Sequence, residues 1–264
     1  MRKAFTLSAV LLFTLFAAFT TDLSAQEVIK LSASPKQLEV STVITVELIP
    51  SQRNEMQVSS KSKESLEQFR HQEVNGKLKL YRNNRGGIFK FYRGDKSDRI
   101  YVKLYTTDIN RIELIDVSGA SAVHSDAVLN SNKLLIELSG ASTTDLEGKF
   151  GSINAEVSGA SGLLLHGSTQ TIRTDTSGAS RFTLVGDFKT IEADVSGASK
   201  FTIEGNGETA YIDVSGASNF DGRRCYVDKA KIDASGASSV RIHATHSDTD
   251  ASGMSKIKII DSKN

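Results

Sequence analysis

Residues 177–218 read SGASRFTLVGDFKTIEADVSGASKFTIEGNGETAYIDVSGAS, with the tetrapeptide Ser-Gly-Ala-Ser returning every 19 residues. Extended in both directions, the motif places Gly at 119, 140, 159, 178, 197, 216 and 236, and a Ser-Gly-Met-Ser variant adds Gly253. The successive spacings are 21, 19, 19, 19, 19, 20 and 17 residues. A fixed period of this length marks a repeat architecture, so the coil is the unit to be understood.

Aligned on the Gly, the residues six, four and two positions before it are apolar or small, as in Ile153, Ala155, Val157 and Ile191, Ala193, Val195. Polar or charged residues stand between them, so each run reads as a strand with one buried face. A second alternating strand follows the tetrapeptide, with Phe182 and Leu184, or Phe201 and Ile203, on one side and Thr183 or Thr202 on the other. A further Gly at 148, 167, 186 and 205 closes that strand, and glycine suits corners that need positive φ. The corner Ala is expected on the inside of the bend, where a larger side chain would crowd it. One coil cannot bury its own apolar face, whereas coils stacked at about 4.8 Å pair every strand with its equivalent. The predicted fold is all-β, a parallel β-helix with coils of about 19 residues. A barrel or propeller is the rival, but 19 residues is short for a four-stranded blade.

The chain before the repeats is also strand-rich. Val40, Thr42, Ile44, Val46 and Leu48 alternate with polar neighbours up to Pro50. Asn75-Gly76 between Val74 and Leu78-Lys79-Leu80 is a hairpin signal, and Ile100, Val102 and Leu104 alternate again. Ser62 to Arg70 suits a short helix or an irregular turn. No Pro- or Ser-rich linker intervenes, so residues 26–110 are expected to form a strand-rich cap continuous with the column of residues 111–264. The first 25 residues run from Arg2 and Lys3 through an apolar stretch, Ala9 to Phe19, to Ser24 and Ala25, the order of a secretory signal peptide. The apolar stretch is too short to span a bilayer, and no later segment is apolar enough to do so. Without Arg2, Lys3 and Asp22 the chain carries 30 cations and 30 carboxylates, so no net field draws nucleic acid. The one cysteine, Cys225, has no disulfide partner within the chain and is expected to be a buried thiol.

The leader, the run Leu38–Leu48, the hairpin Val74-Asn75-Gly76-Lys77-Leu78, the strand Ile100–Leu104 and the Val-Ser-Gly-Ala-Ser repeats together resemble the GIN-domain family. These are exported bacterial proteins described as "putative autotransporter adhesin, head GIN domain". The resemblance covers most of the mature chain, and the tetrapeptide is its most specific part. It implies a right-handed, single-stranded β-helix in the periplasm or at the cell surface of a Gram-negative bacterium. It carries over no catalytic or ligand-binding residue, and fold alone does not fix function. No membrane-translocating barrel is recognisable after the repeats.

Four constellations bear on chemistry. The position three before each Gly is acidic in every copy: Asp116, Glu137, Glu156, Asp175, Asp194, Asp213, Asp233 and Asp250. Stacked coils would make these a carboxylate ladder, open to a hard cation, to a basic partner, or to local compensation such as Arg173 beside Glu192. Phe182, Phe201 and Phe220 share parity with core residues and are expected inside rather than as a sugar-binding strip. The segment 82–99 interleaves Arg82, Arg85, Lys90 and Arg93 with Phe91 and Tyr92, a candidate surface for anionic glycans, lipid headgroups or nucleic acid, or else a solvated hairpin whose aromatics tuck inward. His243 and His246, with Asp248 and Asp250 following, loosely suggest metal ligands, but a spacing of three puts the rings on opposite faces of a strand unless a turn intervenes. No Ser-His-Asp set, phosphate-cradling loop or paired-Cys metal motif is present, so no catalytic residue, metal or cofactor is expected.

The reading that follows is a non-enzymatic exported β-helix, an adhesin or envelope scaffold meeting a glycan or cell-surface protein through long flat sides. A polysaccharide-binding or polysaccharide-degrading protein is one alternative. A self-assembling envelope subunit is another, since the last strand, near Ile257–Ile260, ends in an open edge. A degrading enzyme would need acids converging in a groove built from inserted loops, and the coils from Gly140 to Gly216 have no insertions.

Overall fold

The computed structural model describes residues 25–83 and 99–260. The signal peptide expected from sequence, residues 1–25, lies outside the described residues apart from the backbone of Ala25. In chain order the elements are β1 (Ala25–Lys30), β2 (Gln37–Val40), β3 (Ile44–Pro50), β4 (Glu55–Ser60), α1 (Lys63–Gln68), β5 (Phe69–Val74), β6 (Lys77–Arg82) and β7 (Ile100–Thr106). The repeats follow as β8 (Leu114–Val117), β9 (Ala122–Leu138), β10 (Thr143–Val157), β11 (Gly162–Thr176), β12 (Arg181–Val185), β13 (Phe188–Val195), β14 (Lys200–Val214), β15 (Asn219–Ala234), β16 (Ser239–Ala251) and β17 (Lys256–Ile260).

From β8 onward every pairing is parallel and joins a strand to its equivalent one coil away, as in Ile172 beside Ile191 and Phe182 beside Phe201. The result is a β-solenoid of about eight turns. Its corners stack directly. The amide of each corner Ala donates to the carbonyl of the preceding corner Gly, for example Ala179 to Gly159 at 2.7 Å and Ala198 to Gly178 at 2.7 Å. At a second corner the φ angles of Gly167, Gly186 and Gly205 are +122°, +152° and +134°. A Cβ on Gly186 would stand 1.7 Å from the carbonyl oxygen of Gly167, so only glycine lets the coils approach this closely.

The column starts earlier than the tetrapeptide does. The alternating run 38–48 is not one strand. It turns at Ser41–Val43, with Thr42 at φ +83°, and β2 and β3 lie in register under β8 and β9. Thr42 is therefore the first corner, and its carbonyl accepts from the Ala120 amide at 2.6 Å. The alternation misleads because Val40 and Ile44 both face inward across a corner whose left-handed residue is not Gly. Below this coil, β6 and β7 pair in parallel with β2 and β3, which continues the stack by one more level. Antiparallel strands then close the N-terminal end: β5 on β6 through the Asn75-Gly76 turn, β4 on β7, and β1 on β4. The short helix appears as α1, capped by the Ser62 hydroxyl accepting from the Ser65 amide. At the other end β17 pairs with β16 alone among the described strands.

Candidate functional site

The interior fixes where outward side chains can stand. The second Ser of each tetrapeptide, not the Ala, points inward: Ser142 is fully buried, Ser180, Ser199, Ser218 and Ser238 nearly so, while the corner Ala residues from Ala141 onward are exposed. The expected placement of Ala is thus reversed. A serine hydroxyl inside the bend can bond to the neighbouring coils. Ser199 Oγ accepts from the Ser180 amide at 3.3 Å and donates to the Gly178 carbonyl at 3.4 Å. An alanine there would leave these backbone groups with fewer partners. Phe182, Phe201 and Phe220 lie inside as expected, with centroids 4.7 and 5.1 Å apart.

On the face preceding each Ser-Gly corner, the carboxylates form one ladder in unbroken register. It runs Glu39, Asp116, Glu137, Glu156, Asp175, Asp194, Asp213, Asp233, Asp250. Neighbours about 4.8 Å apart repel by roughly 0.9 kcal/mol in water. Partial burial, then Asp213 and Asp175, hold the Asp194 carboxyl above the usual aspartate range. Asp116 is raised by burial and by Glu39, and Glu137 by burial and then by Asp116 and Glu156. At the N-terminal end, burial acts to raise Glu39, but hydrogen bonds from Lys79 and Lys77 outweigh it and leave its carboxyl lowered. Arg173 pairs with Glu192 at 2.7 Å beside the ladder. The rungs do not converge: among the described residues, no three His, Cys, Asp or Glu side chains are placed to hold a metal ion.

The face following each corner has the opposite sign over the last five coils. Arg181 and Lys200 are register partners, as are Arg241 and Lys258, and Lys256 continues the column of Lys200 beyond Asn219 and Ser239. Between them the chain bulges. Thr202 lies beside Asp221 and Glu204 beside Arg224, so β15 carries one extra residue against β14; against β16 the four-residue step from Gly222 to Tyr226 faces the single step from Ile242 to His243. The bulge turns Arg223 and Arg224 outward around a shallow depression lined by Thr202, Ile203, Glu204 and Asp221. Arg223 grips Asp221 through two bonds, Nε at 2.8 Å and an Nη at 2.7 Å, which lowers the Asp221 carboxyl. Arg224 pairs with Glu204 at 2.6 Å. At the rim the exposed Tyr226 ring stacks on His243, with centroids 4.4 Å apart, and His243 Nε2 lies 3.1 Å from the Arg223 carbonyl oxygen.

The residues singled out by sequence fare unevenly. Asp175, Asp194, Asp213 and Asp233 stand in register on one exposed face. Arg82 is buried, donating to Ser65 Oγ and Gln68 Oε1 at 2.9 Å each, so it supports α1 rather than facing a ligand. Arg85, Lys90, Phe91, Tyr92 and Arg93 lie outside the described residues. His243 is half-buried against the exposed Tyr226 and His246 is exposed, so neither stands on the buried face of β16 as strict alternation would require. Cys225 sits inside the bulge, fully buried, and burial pushes its thiol up to about 12. The basic face is not visible to a linear scan, because its cations stand about a coil apart in the chain. Two signals point to it: cations at three or five positions after the corner Gly, and the 20-residue spacing that holds the bulge, followed by one of 17.

A family model described as "Putative auto-transporter adhesin, head GIN domain" matches residues 34–186 and 169–261. No curated protein matches the chain. Among solved structures, a "putative adhesin" from Parabacteroides distasonis superposes with a TM-score of 0.61 at 15% identity, covering 89% of this chain and 96% of that one. A "putative adhesin" from Bacteroides fragilis gives 0.55 at 15%, with 89% and 96% coverage. A "putative lipid binding protein" from Parabacteroides distasonis gives 0.55 at 12%, with 90% and 96% coverage. At these identities the likeness is one of fold. No helix among the described residues is long and apolar enough to cross a membrane.

Proposed function

The chain belongs to the family described as "Putative auto-transporter adhesin, head GIN domain", and we propose from that premise that it is an exported, non-enzymatic binding protein. It works in the periplasm or at the surface of a Gram-negative cell, as an adhesion or scaffolding module. In this reading residues 1–25 are removed on export, 26–110 supply the strand-rich N-terminal end of the column, and 111–264 present its long sides. The observation that carries the reading is the spread of outward chemistry. Charges repeat with the coil in stripes of opposite sign on neighbouring faces, an arrangement suited to an extended partner and poorly suited to a reaction centre that must focus groups on a few atoms.

The test is a binding and turnover assay of the exported chain on arrayed glycans and on isolated envelope fragments. Saturable binding with the glycans recovered intact is the expected result. Depolymerisation that co-purifies with the protein would overturn the reading. A parallel sample with Arg85, Lys90 and Arg93 changed to Gln asks whether the basic and aromatic segment expected from sequence contributes.

A further inference from the structure

Resting on that binding role, we infer that the basic face of the last five coils takes a carboxylated or sulfated polysaccharide, centred on the Arg223–Arg224 bulge. On this face, among the described residues, Arg181, Lys200, Arg223, Arg224, Arg241, Lys256 and Lys258 outnumber the acids Glu204 and Asp221, and Asp187 lies past the Gly corner, held by Asn206. Asp221 and Glu204 are already engaged by Arg223 and Arg224. Arg181, Lys200, Arg241, Lys256 and Lys258 make no ion pair among the described residues, and all but Arg241, which is half-buried, are exposed. Coils stack at about 4.8 Å, so these cations span roughly 20 Å along the column axis. The carboxylate ladder runs along the neighbouring face of the same coils, so a polyanion is drawn to one side and repelled from the other.

Three features favour a sugar polymer over other polyanions. The exposed Tyr226 ring, held flat by His243, offers an apolar plane beside the cations. The depression between Thr202, Glu204 and Asp221 supplies hydroxyl and carboxylate groups that suit sugar hydroxyls. Arg223 and Arg224 each leave guanidinium donors exposed beyond their ion pairs, and a guanidinium fork matches a carboxylate or sulfate. A bulge that re-aims two side chains is a common device at binding sites.

The experiment measures binding of the exported chain to polygalacturonate and heparin, against neutral dextran, a DNA duplex and phosphatidylglycerol vesicles. The expected result is binding to the acidic polysaccharides that weakens as salt is raised from 50 to 200 mM, with none to dextran. Changing Lys200, Arg241 and Lys258 together to Gln breaks no ion pair of the folded chain and should cost about 10-fold or more in affinity. Asp213→Asn on the acidic face should leave binding unchanged or slightly tighter. Equal binding to dextran, a triple variant that binds like the parent, or stronger binding to DNA or vesicles would each overturn the inference while leaving a binding role intact. Cleavage of the polysaccharide would instead defeat the binding role itself.

Discussion

At the scale of single residues, the stack depends on where a Cβ can stand. Gly186 has φ +152° and a Cβ there would lie 1.7 Å from the Gly167 carbonyl oxygen. Gly162, on an outer strand position, has only Thr143 Cγ2 near, at 3.6 Å. Gly186→Ala should therefore lower stability by about 3 kcal/mol or more, while Gly162→Ala stays within about 0.5 kcal/mol of the parent, read by urea unfolding. Equal effects at the two sites would contradict the backbone contact between coils. Cys225 gives a pH prediction. Its thiol is raised from the ordinary 9.0 to about 12 in the folded chain. The folded state then holds a proton that the unfolded state has released, so this contribution is intact below pH 9 and declines as pH rises towards 12, by at most about 1.4 kcal/mol per pH unit. Unfolding measured from pH 8 to 11 should show that decline in the parent and a flatter profile in Cys225→Ala. The same burial predicts negligible alkylation of the native chain at pH 8.

At the scale of elements, the ladders decide how much was legible in the sequence. Period-two alternation and the recurring corner Gly were enough to assign the coil, the inward Phe column and the outward carboxylates, because each depends only on local parity and a constant spacing. The first coil was hidden, since Thr42 adopts the corner conformation without being Gly and its Ser-Thr-Val turn carries no motif. The corner Ser and Ala were exchanged because parity through a bend is not that of a strand. The acidic ladder also carries a consequence for stability. Asp194 is raised by burial and by Asp213 and Asp175, so its repulsion is absent below about pH 3.8, its ordinary value, and sets in as pH rises through its folded value. Asp194→Asn should thus raise the unfolding midpoint at pH 7 by a small margin that shrinks with added salt and vanishes near pH 3.5. A lowered midpoint at pH 7 would mean that the carboxylate holds the coils together. Inside, Phe201 packs between Phe182 and Phe220, and Phe201→Ala should cost about 3–5 kcal/mol.

At the scale of the whole molecule, the two ends of the column differ, and the difference meets the proposed ligand. Antiparallel strands cover the parallel stack at the N-terminal end, as sheet edges in soluble proteins require. At the C-terminal end β17 hydrogen-bonds on one side among the described strands, and residues 245–251 of β16 are exposed. In a stack where each coil contacts only its neighbours, the terminal coil has half the interface of an interior one and opens first. Amide exchange should therefore be slowest through β10 to β14 and fastest in β17. That strand also presents Lys256 and Lys258, two of the cations assigned to the polyanion. A ligand that binds the folded coil and not the opened one shifts the opening equilibrium by mass action. Saturating polygalacturonate should then slow exchange in β17 and the end of β16 while leaving β10 to β14 unchanged. Uniform slowing along the column would point to a general stabilisation, and no change in β17 would place the polymer elsewhere on the surface.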